Sequence, residues 1–203
     1  NREVMTLRSC LHWASHPDRE AACRVDCRLS FEGLAKKEPE ALVPDLRGED
    51  QVRLINACKP PWLRDLVVVM LGSGLRSGEA LALTCDNVNV DERRITVESS
   101  KTDNPRKVPV SREALAVLEA RRDRYSDGPL FRTAAGNPIT SGKAASAFRP
   151  VAVKLGLKQR RDGKLLTLHS LRHSFASRLI GAGAALPAVA DALGHRGLSS
   201  VTK

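Results

Sequence analysis

One change in hydrophobic period constrains the fold of this chain more than any other feature of its sequence. Most segments place apolar residues at the three-and-four spacing of an α-helix, whereas 94–98 and 106–110 alternate as β-strands do. Asp103, Asn104 and Pro105 lie between the two alternating segments and favour a turn. The pattern therefore predicts a mainly α-helical fold with one small antiparallel β-sheet.

Helical spacing predicts the other elements of the chain. The expected helices cover 4–14, 49–58, 62–71, 77–84, 113–124, 140–155, 168–182 and 186–194. Ser77 and Ser111 are the expected N-caps of two of these helices, and Gly72 and Gly74 are expected to end the helix over 62–71. A compact region is expected from residue 46 onward, after a polar, proline-containing stretch that favours a linker.

The charge of the chain favours a polyanionic partner. The 203 residues include 33 Lys and Arg against 23 Asp and Glu, a formal net charge of +10. Such an excess drives association with phosphate backbones, because bound counterions are released. Aromatic residues make up only 3% of the chain, with Tyr125 the one tyrosine, so stacking platforms for single strands are scarce. We therefore expect duplex DNA as the partner.

Other features of composition bear on location. The longest apolar run, residues 66–72, is too short to span a bilayer, and the N-terminus does not resemble a secretory signal. Five cysteines, an odd and scattered set, fit free thiols in a reducing cytoplasm. We expect a cytoplasmic protein without membrane contact. Because the chain opens in mid-pattern without an initiator methionine, we also expect a fragment or a processed chain.

Two patterns suggest bound cofactors, and we favour neither interpretation. An H-x3-H-x6-C-x3-C pattern offers zinc-type ligands, namely His12, His16, Cys23 and Cys27. A spacing of four also follows from one face of a helix, which is the interpretation we favour. Residues 66–78 could instead form the strand, glycine turn and helix of a dinucleotide site, with Glu98 as its acidic residue. The glycines there run G-x-G-x-x-x-G, one residue longer than that fingerprint.

Several polar residues stand where they could bind a phosphate. Arg76 follows a glycine-containing turn and precedes a helix, where its planar guanidinium can meet a phosphate oxygen. His169 and Arg172 are three residues apart and share a helix face, which pairs a proton-transfer group with a fixed positive charge. Lys101 lies in the expected hairpin turn, and His195 follows a glycine at a helix end.

Each of these residues also has a plain structural interpretation. Arg76 could be a surface residue, Glu79 a helix-dipole carboxylate, and His195 a C-terminal helix cap. His173 follows His169 by four and could form a metal-binding pair with it, but no glutamate follows His169 as the H-E-x-x-H pattern requires. We expect His173 to pack inward and form a hydrogen bond.

Taken together, the order and spacing of these motifs resemble the tyrosine recombinase (phage integrase) family. The motifs are Gly74-Leu-Arg-Ser-Gly-Glu-Ala-Leu81, Ser100-Lys-Thr102 ahead of Val108-Pro-Val110, His169-Ser-Leu-Arg-His-Ser-Phe-Ala176 and Leu193-Gly-His195. The match covers 46–203 and implies the catalytic-domain fold of that family. Residues 1–45 would then be the last helix of a core-binding domain and a linker.

The resemblance implies site-specific DNA recombination or integration, as in mobile elements, at double-stranded DNA attachment sites. The implied catalytic residues are Arg76, Lys101, His169, Arg172 and His195, with Glu79 supporting them from behind. Both arginines would bind non-bridging oxygens of the scissile phosphate, and His195 would donate a hydrogen bond to it. His169 would assist proton transfer around the nucleophile, and Lys101 would protonate the departing 5′ oxygen.

In that family the nucleophile is a tyrosine that forms a 3′-phosphotyrosyl link, so neither ATP nor a metal or other cofactor is required. The tyrosine follows the position matched by His195 and would lie beyond Lys203, whereas Tyr125 matches nothing. We therefore expect the chain as given to bind DNA without cleaving it. A tetramer on DNA during synapsis is the implied assembly. A non-catalytic duplex-DNA-binding regulator and a type IB topoisomerase are the alternatives.

Overall fold

The computed structural model describes residue 46 and residues 48–98, 105–159 and 163–194. The chain divides into two units, 1–40 and 41–203, and every described residue belongs to the second. The expected helix over 4–14 and the His/Cys cluster lie outside the described residues. The boundary expected after residue 45 stays a prediction.

Helices dominate the described part of the chain, and the mainly helical fold with a small antiparallel sheet is confirmed. In chain order the elements are α1 (Gly48–Ala57), α2 (Pro61–Ser73), α3 (Ser77–Leu81), β1 (Val88–Asn89), β2 (Arg94–Val97), β3 (Arg106–Pro109), α4 (Arg112–Arg124), α5 (Ser141–Lys154), α6 (Leu168–Gly181) and α7 (Leu186–Leu193). A short 3-10 turn, Cys85–Asn87, leads into β1. None of the helices in the described ranges is both long enough and apolar enough to cross a bilayer.

The sheet has three strands in the order β1-β2-β3, all antiparallel. The predicted hairpin is β2 and β3, in which Ile95 pairs with Val108 and both side chains are fully buried. Strand β1 was not predicted, because its two residues are too few to show an alternating period. Its Val88 pairs with Ile95 and adds a third apolar side chain to the buried face.

Helix α2 is the centre of the fold and packs against both α4 and α6. It is buried on most sides, and Pro61 at its start fits a position where no backbone donor is needed. The prediction that Gly72 ends this helix was wrong. A Cβ at Gly72 would lie 2.6 Å from the Cβ of Ala114, so this glycine allows α4 to approach closely. Because 66–71 is helical, the dinucleotide-binding interpretation is wrong as well.

Gly74 ends α2 in the left-handed region, with φ of 67°, and donates its backbone N–H to Met70 O at 2.9 Å. A Cβ at this position would lie 2.3 Å from the ring of Phe175 on α6. Both the backbone angle and the close approach therefore require glycine here. The turn that follows directs the chain into α3, where the candidate site begins.

Two helix starts show how local side chains set element boundaries. Ser111 is the N-cap of α4, as predicted, and its Oγ accepts the backbone N–H of Ala114 at 3.3 Å. In contrast, Ser77 was predicted to cap α3, but the N-cap is Arg76. The reason is Glu79, whose Oε2 accepts the Arg76 backbone N–H at 2.8 Å, the reach-back half of a capping box.

Helix α7 packs through a small apolar cluster of its own, apart from the main core. Its buried members are Phe175, Ala176, Val189 and Leu193, and the partly buried Leu179, Ile180 and Ala184 pack against them. The cluster attaches α7 to α6, and α7 also contacts β3. The C-terminal end of α7 is thereby brought to the same region as the start of α3.

Candidate active site

The site is built around the carboxylate of Glu79. Its Oε1 accepts a hydrogen bond from Nη1 of Arg76 at 3.0 Å, while its Oε2 accepts the Arg76 backbone N–H. The same carboxylate therefore caps α3 and orients the arginine guanidinium. The side chain of Arg76 is 37% exposed, against 12% for Glu79. The arginine thus faces the outside of the site, and the carboxylate lies behind it.

Arg172 approaches the same carboxylate from α6. Its side chain is only 3% exposed, and its Nη1 lies 4.0 Å from Oε2 of Glu79. Nη1 donates to Gly74 O at 2.8 Å, and Nη2 donates to Leu193 O at the end of α7. One buried guanidinium therefore ties together the α2–α3 turn, α6 and α7. Making these contacts at once requires the several N–H donors of a planar guanidinium, which the ammonium group of lysine does not have.

The surroundings of Glu79 keep it ionised. Burial alone would raise the pKa of this carboxyl, but the hydrogen bonds from the Arg76 backbone and from Arg106, with the charge of Arg106, outweigh burial. The pKa of Glu79 is consequently lowered from its ordinary value. An ionised carboxylate among three arginines fixes their positions and leaves the site with a net positive charge.

His169 lies one turn before Arg172 on α6 and keeps an exposed edge. Partial removal from water is the largest cause that lowers its pKa, followed by the positive charges of Arg172 and Arg76. The imidazole is therefore neutral near pH 7 and can accept a proton. Its ring meets that of His173 edge-on, with centroids 4.8 Å apart.

The prediction for His173 was wrong, because this side chain is exposed rather than packed inward. The buried face of α6 carries Leu168, Leu171, Arg172 and Phe175, at the three-and-four spacing of one helix face. His173 lies off this face. The described residues contain no group of three or more His, Cys, Asp or Glu side chains placed to hold a metal ion.

Two expected site residues, Lys101 and His195, lie outside the described residues. The structure describes what flanks them in sequence. Strand β3 begins at Arg106, five residues after Lys101, and Gly194 directly precedes His195 as the left-handed C-cap of α7, with φ of 67°. The structure brings Arg76, Glu79 and Arg172 together with His169 on the adjoining turn of α6. The roles assigned to all of these residues stay predictions.

Arg106 is a member of the site that the sequence interpretation missed. Its side chain is 8% exposed, and its Nη2 donates to Oε2 of Glu79 at 2.8 Å. The signal was present in the alternation of residues 106–110, because Arg106 is in phase with the buried Val108 and Val110. A charged residue on the core side of a strand requires a buried partner.

Among the residues that the structure describes, Tyr125 has no contact with those of the candidate site. It follows the last residue of α4, where its backbone N–H donates to Arg121 O at 3.0 Å. Its ring lies near the guanidinium groups of Arg124 and Arg132, at 5.6 and 5.1 Å from the ring centroid. None of these contacts involves a residue of the candidate site.

Comparison with known proteins gives a consistent family match. The model of the phage integrase family matches residues 44–203. The tyrosine recombinase XerC of Brucella suis biovar 1 (strain 1330) is 33% identical over 179 residues, covering 82% of this chain and 55% of that protein. The chain thus spans about half the length of this relative.

Solved structures agree on the fold. The crystal structure of XerA recombinase matches with a TM-score of 0.68 and 25% identity, over 82% of this chain and 60% of that chain. The Tn1549 transposon integrase, solved in complex with transposon right-end DNA, matches with a TM-score of 0.75 and 18% identity, over 99% of this chain and 72% of that chain. The latter likeness supports the fold alone. With the family match over residues 44–203, these findings show that the chain belongs to the phage integrase family.

Proposed function

We propose that this chain carries the catalytic domain of a site-specific DNA recombinase that cuts and rejoins duplex DNA through a 3′-phosphotyrosyl intermediate. The observation that carries the proposal is the arrangement around Glu79, which holds Arg76 and Arg172 in one positively charged site beside a neutral His169. The family match and the similarity to a tyrosine recombinase support the same conclusion. The alternatives, a non-catalytic regulator and a type IB topoisomerase, are not favoured by these relatives.

The arginines would neutralise the phosphate during cleavage. Arg76 and Arg172 would donate to the non-bridging oxygens, where negative charge grows as the phosphorus becomes five-coordinate. Glu79 stays ionised behind them and sets their orientation. Because these donors are fixed before the substrate arrives, little reorganisation is needed in the transition state.

Proton transfer would be divided between the two sides of the phosphorus. The tyrosine oxygen would bond to phosphorus with His169 assisting removal of its proton, and His195 would donate a hydrogen bond to the phosphate. The bond to the 5′ oxygen would break as Lys101 supplies that oxygen with a proton. The new ester retains the bond energy, so a 5′-hydroxyl from another strand can reverse the reaction without ATP.

The partner of this site would be double-stranded DNA at specific attachment sites. The formal charge of +10 supports a phosphate-dominated interface. Recombination between two duplexes would join four protomers in a synaptic tetramer, in the cytoplasm. Integration of a mobile element is one use of this chemistry.

The proposal is tested by measuring whether the full-length protein forms a covalent protein–DNA adduct. The substrate is a duplex that the protein has selected from a random library. The adduct should form in the presence of a chelator, because the proposed chemistry uses no metal. Replacing Arg172 with lysine keeps the charge but removes the planar fork, so cleavage should slow by roughly 10²–10³-fold. Affinity for the duplex should change far less, because one contact among many is lost.

A matched control lies on the same helix. Arg178 of α6 is exposed and donates to Gln51 and to the backbone of Leu71, outside the Glu79 arrangement. Arg178→Lys should therefore cleave at a rate near that of the unaltered protein. An adduct that disappears on chelation while DNA binding persists would overturn the mechanism. Equal cleavage by Arg172→Lys and the unaltered protein would remove Arg172 from the site.

A further inference from the structure

Arg106 connects three separate parts of the site. It opens strand β3, and its Nη2 donates to Oε2 of Glu79 at 2.8 Å. Its Nε donates to Ala192 O, near the C-terminal end of α7, at 3.3 Å. The carbonyls at that end of a helix carry partial negative charge and lack partners within the helix. A single buried guanidinium therefore bridges the carboxylate behind the phosphate site and the end of the helix that precedes His195.

The guanidinium of Arg106 also lies directly against Gly194. A Cβ at this glycine would be 2.9 Å from Cζ, Nε and Nη1 of the arginine. Nη1 is buried and has no hydrogen-bond partner among the described residues. Buried polar groups in folded proteins are nearly always hydrogen-bonded, so this Nη1 atom needs an explanation. The unused donor lies beside the residue that leads into His195, so this contact concerns the site rather than the core.

Arg106 and Arg172 hold the same helix end from two sides. Arg172 donates to Leu193 O, and Arg106 donates to Ala192 O. Both guanidinium groups also lie within ion-pair distance of the Glu79 carboxylate. The apolar cluster that attaches α7 is small, so these polar contacts have a large share in fixing where α7 ends. Loss of one bridge would move α7 relative to Glu79 without unfolding the main core.

We infer that Arg106 is a positioning residue for the cleavage reaction, an inference that rests on the proposed function. It holds the C-terminal end of α7, two residues before His195 in sequence, against Glu79 and the phosphate-binding arginines. Its contacts with Glu79 and with Ala192 O place its effect on the phosphate side of the reaction. A displacement of about 1 Å in such a site slows the reaction by roughly 10²-fold, which is the size of effect expected here.

The experiment compares Arg106→Gln with Lys107→Gln in the full-length protein. The two residues are adjacent and each substitution removes one positive charge, but Lys107 is exposed and contacts only Glu92 among the ion pairs described for it. Single-turnover cleavage is measured at saturating protein on the duplex selected by the unaltered protein. Arg106→Gln should slow cleavage by roughly 10²-fold with affinity within a few-fold, whereas Lys107→Gln should leave the rate unchanged. Equal rates for the two variants would overturn the inference.

A second substrate separates the two sides of the reaction. When sulfur replaces the bridging 5′ oxygen, the leaving group departs without needing a proton. The defect of Arg106→Gln should persist on this substrate, because the phosphate side is affected. Full recovery of the rate would place the defect at leaving-group protonation and overturn the inference.

Arg106→Lys keeps a cation beside Glu79 and guards against a simple failure to fold. Its ammonium has no planar fork to bridge Glu79 and Ala192 O at once, so cleavage should still be slow while the melting temperature stays near that of the unaltered protein. Cleavage at the unaltered rate would show that a positive charge alone suffices, and it would contradict a bridging role for Arg106.

The proposed function and the inference about Arg106 can fail separately. If the unaltered protein forms no adduct at all, the proposed function is wrong. If Arg106→Gln forms the adduct as fast as the unaltered protein, only the inference about Arg106 is wrong.

Discussion

At the residue scale, the site depends on how charges are arranged around His169. Partial burial lowers the pKa of His169, and the positive charges of Arg172 and Arg76 lower it further. The imidazole of His169 therefore binds a proton less readily in the folded protein than in the unfolded chain. The residue therefore contributes stability that is present above its ordinary pKa and is lost as the pH falls through the lowered value. The imidazole is thus available as a proton acceptor at neutral pH.

Replacing Arg76 with glutamine should raise the pKa of His169 toward its ordinary value, because one of the positive charges that disfavour protonation is removed. NMR titration of the imidazole resonances in this chain measures the effect without any need for cleavage. Lys107→Gln removes an equal charge from an exposed position and should leave the titration unchanged. A His169 pKa that stays fixed in Arg76→Gln would contradict the arrangement of charges described for the site.

At the element scale, an ion pair between Arg121 and Asp65 links α4 to α2. Arg121 of α4 donates through Nε and Nη2 to Oδ2 of Asp65 on α2, at 3.0 and 2.7 Å. Its Nη1 donates to Leu130 O at 2.8 Å, and its guanidinium lies 4.7 Å from the ring centroid of Phe131. Because α2 is the central helix, this pair supports the scaffold on which the site is built.

Asp65→Ala should lower the free energy of unfolding by about 1–3 kcal/mol, because the buried Arg121 loses a charged acceptor. Chemical denaturation followed by circular dichroism measures the change. Glu92→Ala is the matched control, since its carboxylate meets Lys107 at 3.5 Å with both side chains exposed, and such pairs contribute about 0–1 kcal/mol. Equal losses for the two variants would show that the Asp65–Arg121 pair does not stabilise the contact between α2 and α4.

At the scale of the whole molecule, the formal charge of +10 bears on the proposed binding to DNA. Binding to duplex DNA should weaken steeply with salt, with a log–log slope of several units at about 0.9 per phosphate neutralised. Fluorescence anisotropy of a labelled duplex across a salt series measures this slope. A single strand of the same length is the control and should bind more weakly, since few aromatic residues are present for base stacking. Affinity that is flat with salt would count against a phosphate-dominated interface.

The sequence by itself determined the class of fold and the members of the site that share a local pattern. Helical and alternating periods located the helices and the hairpin, because the period of apolar residues follows directly from backbone geometry. Arg76 with Glu79, and His169 with Arg172, were predictable as pairs because residues three apart share a helix face or a capping turn.

Only the tertiary structure decided which separate elements meet. The bond from Arg106 to Glu79 spans 27 positions, and the bond from Arg172 to Gly74 spans 98. A hydrophobic period reports that one face is buried but carries no information about the partner of that face. His173 was predicted to pack inward but is exposed, Gly72 was predicted to end α2 but lies within it against α4, and the bridge made by Arg106 was missed. Contacts between distant residues depend on how the helices pack, and packing is a property of the whole folded chain.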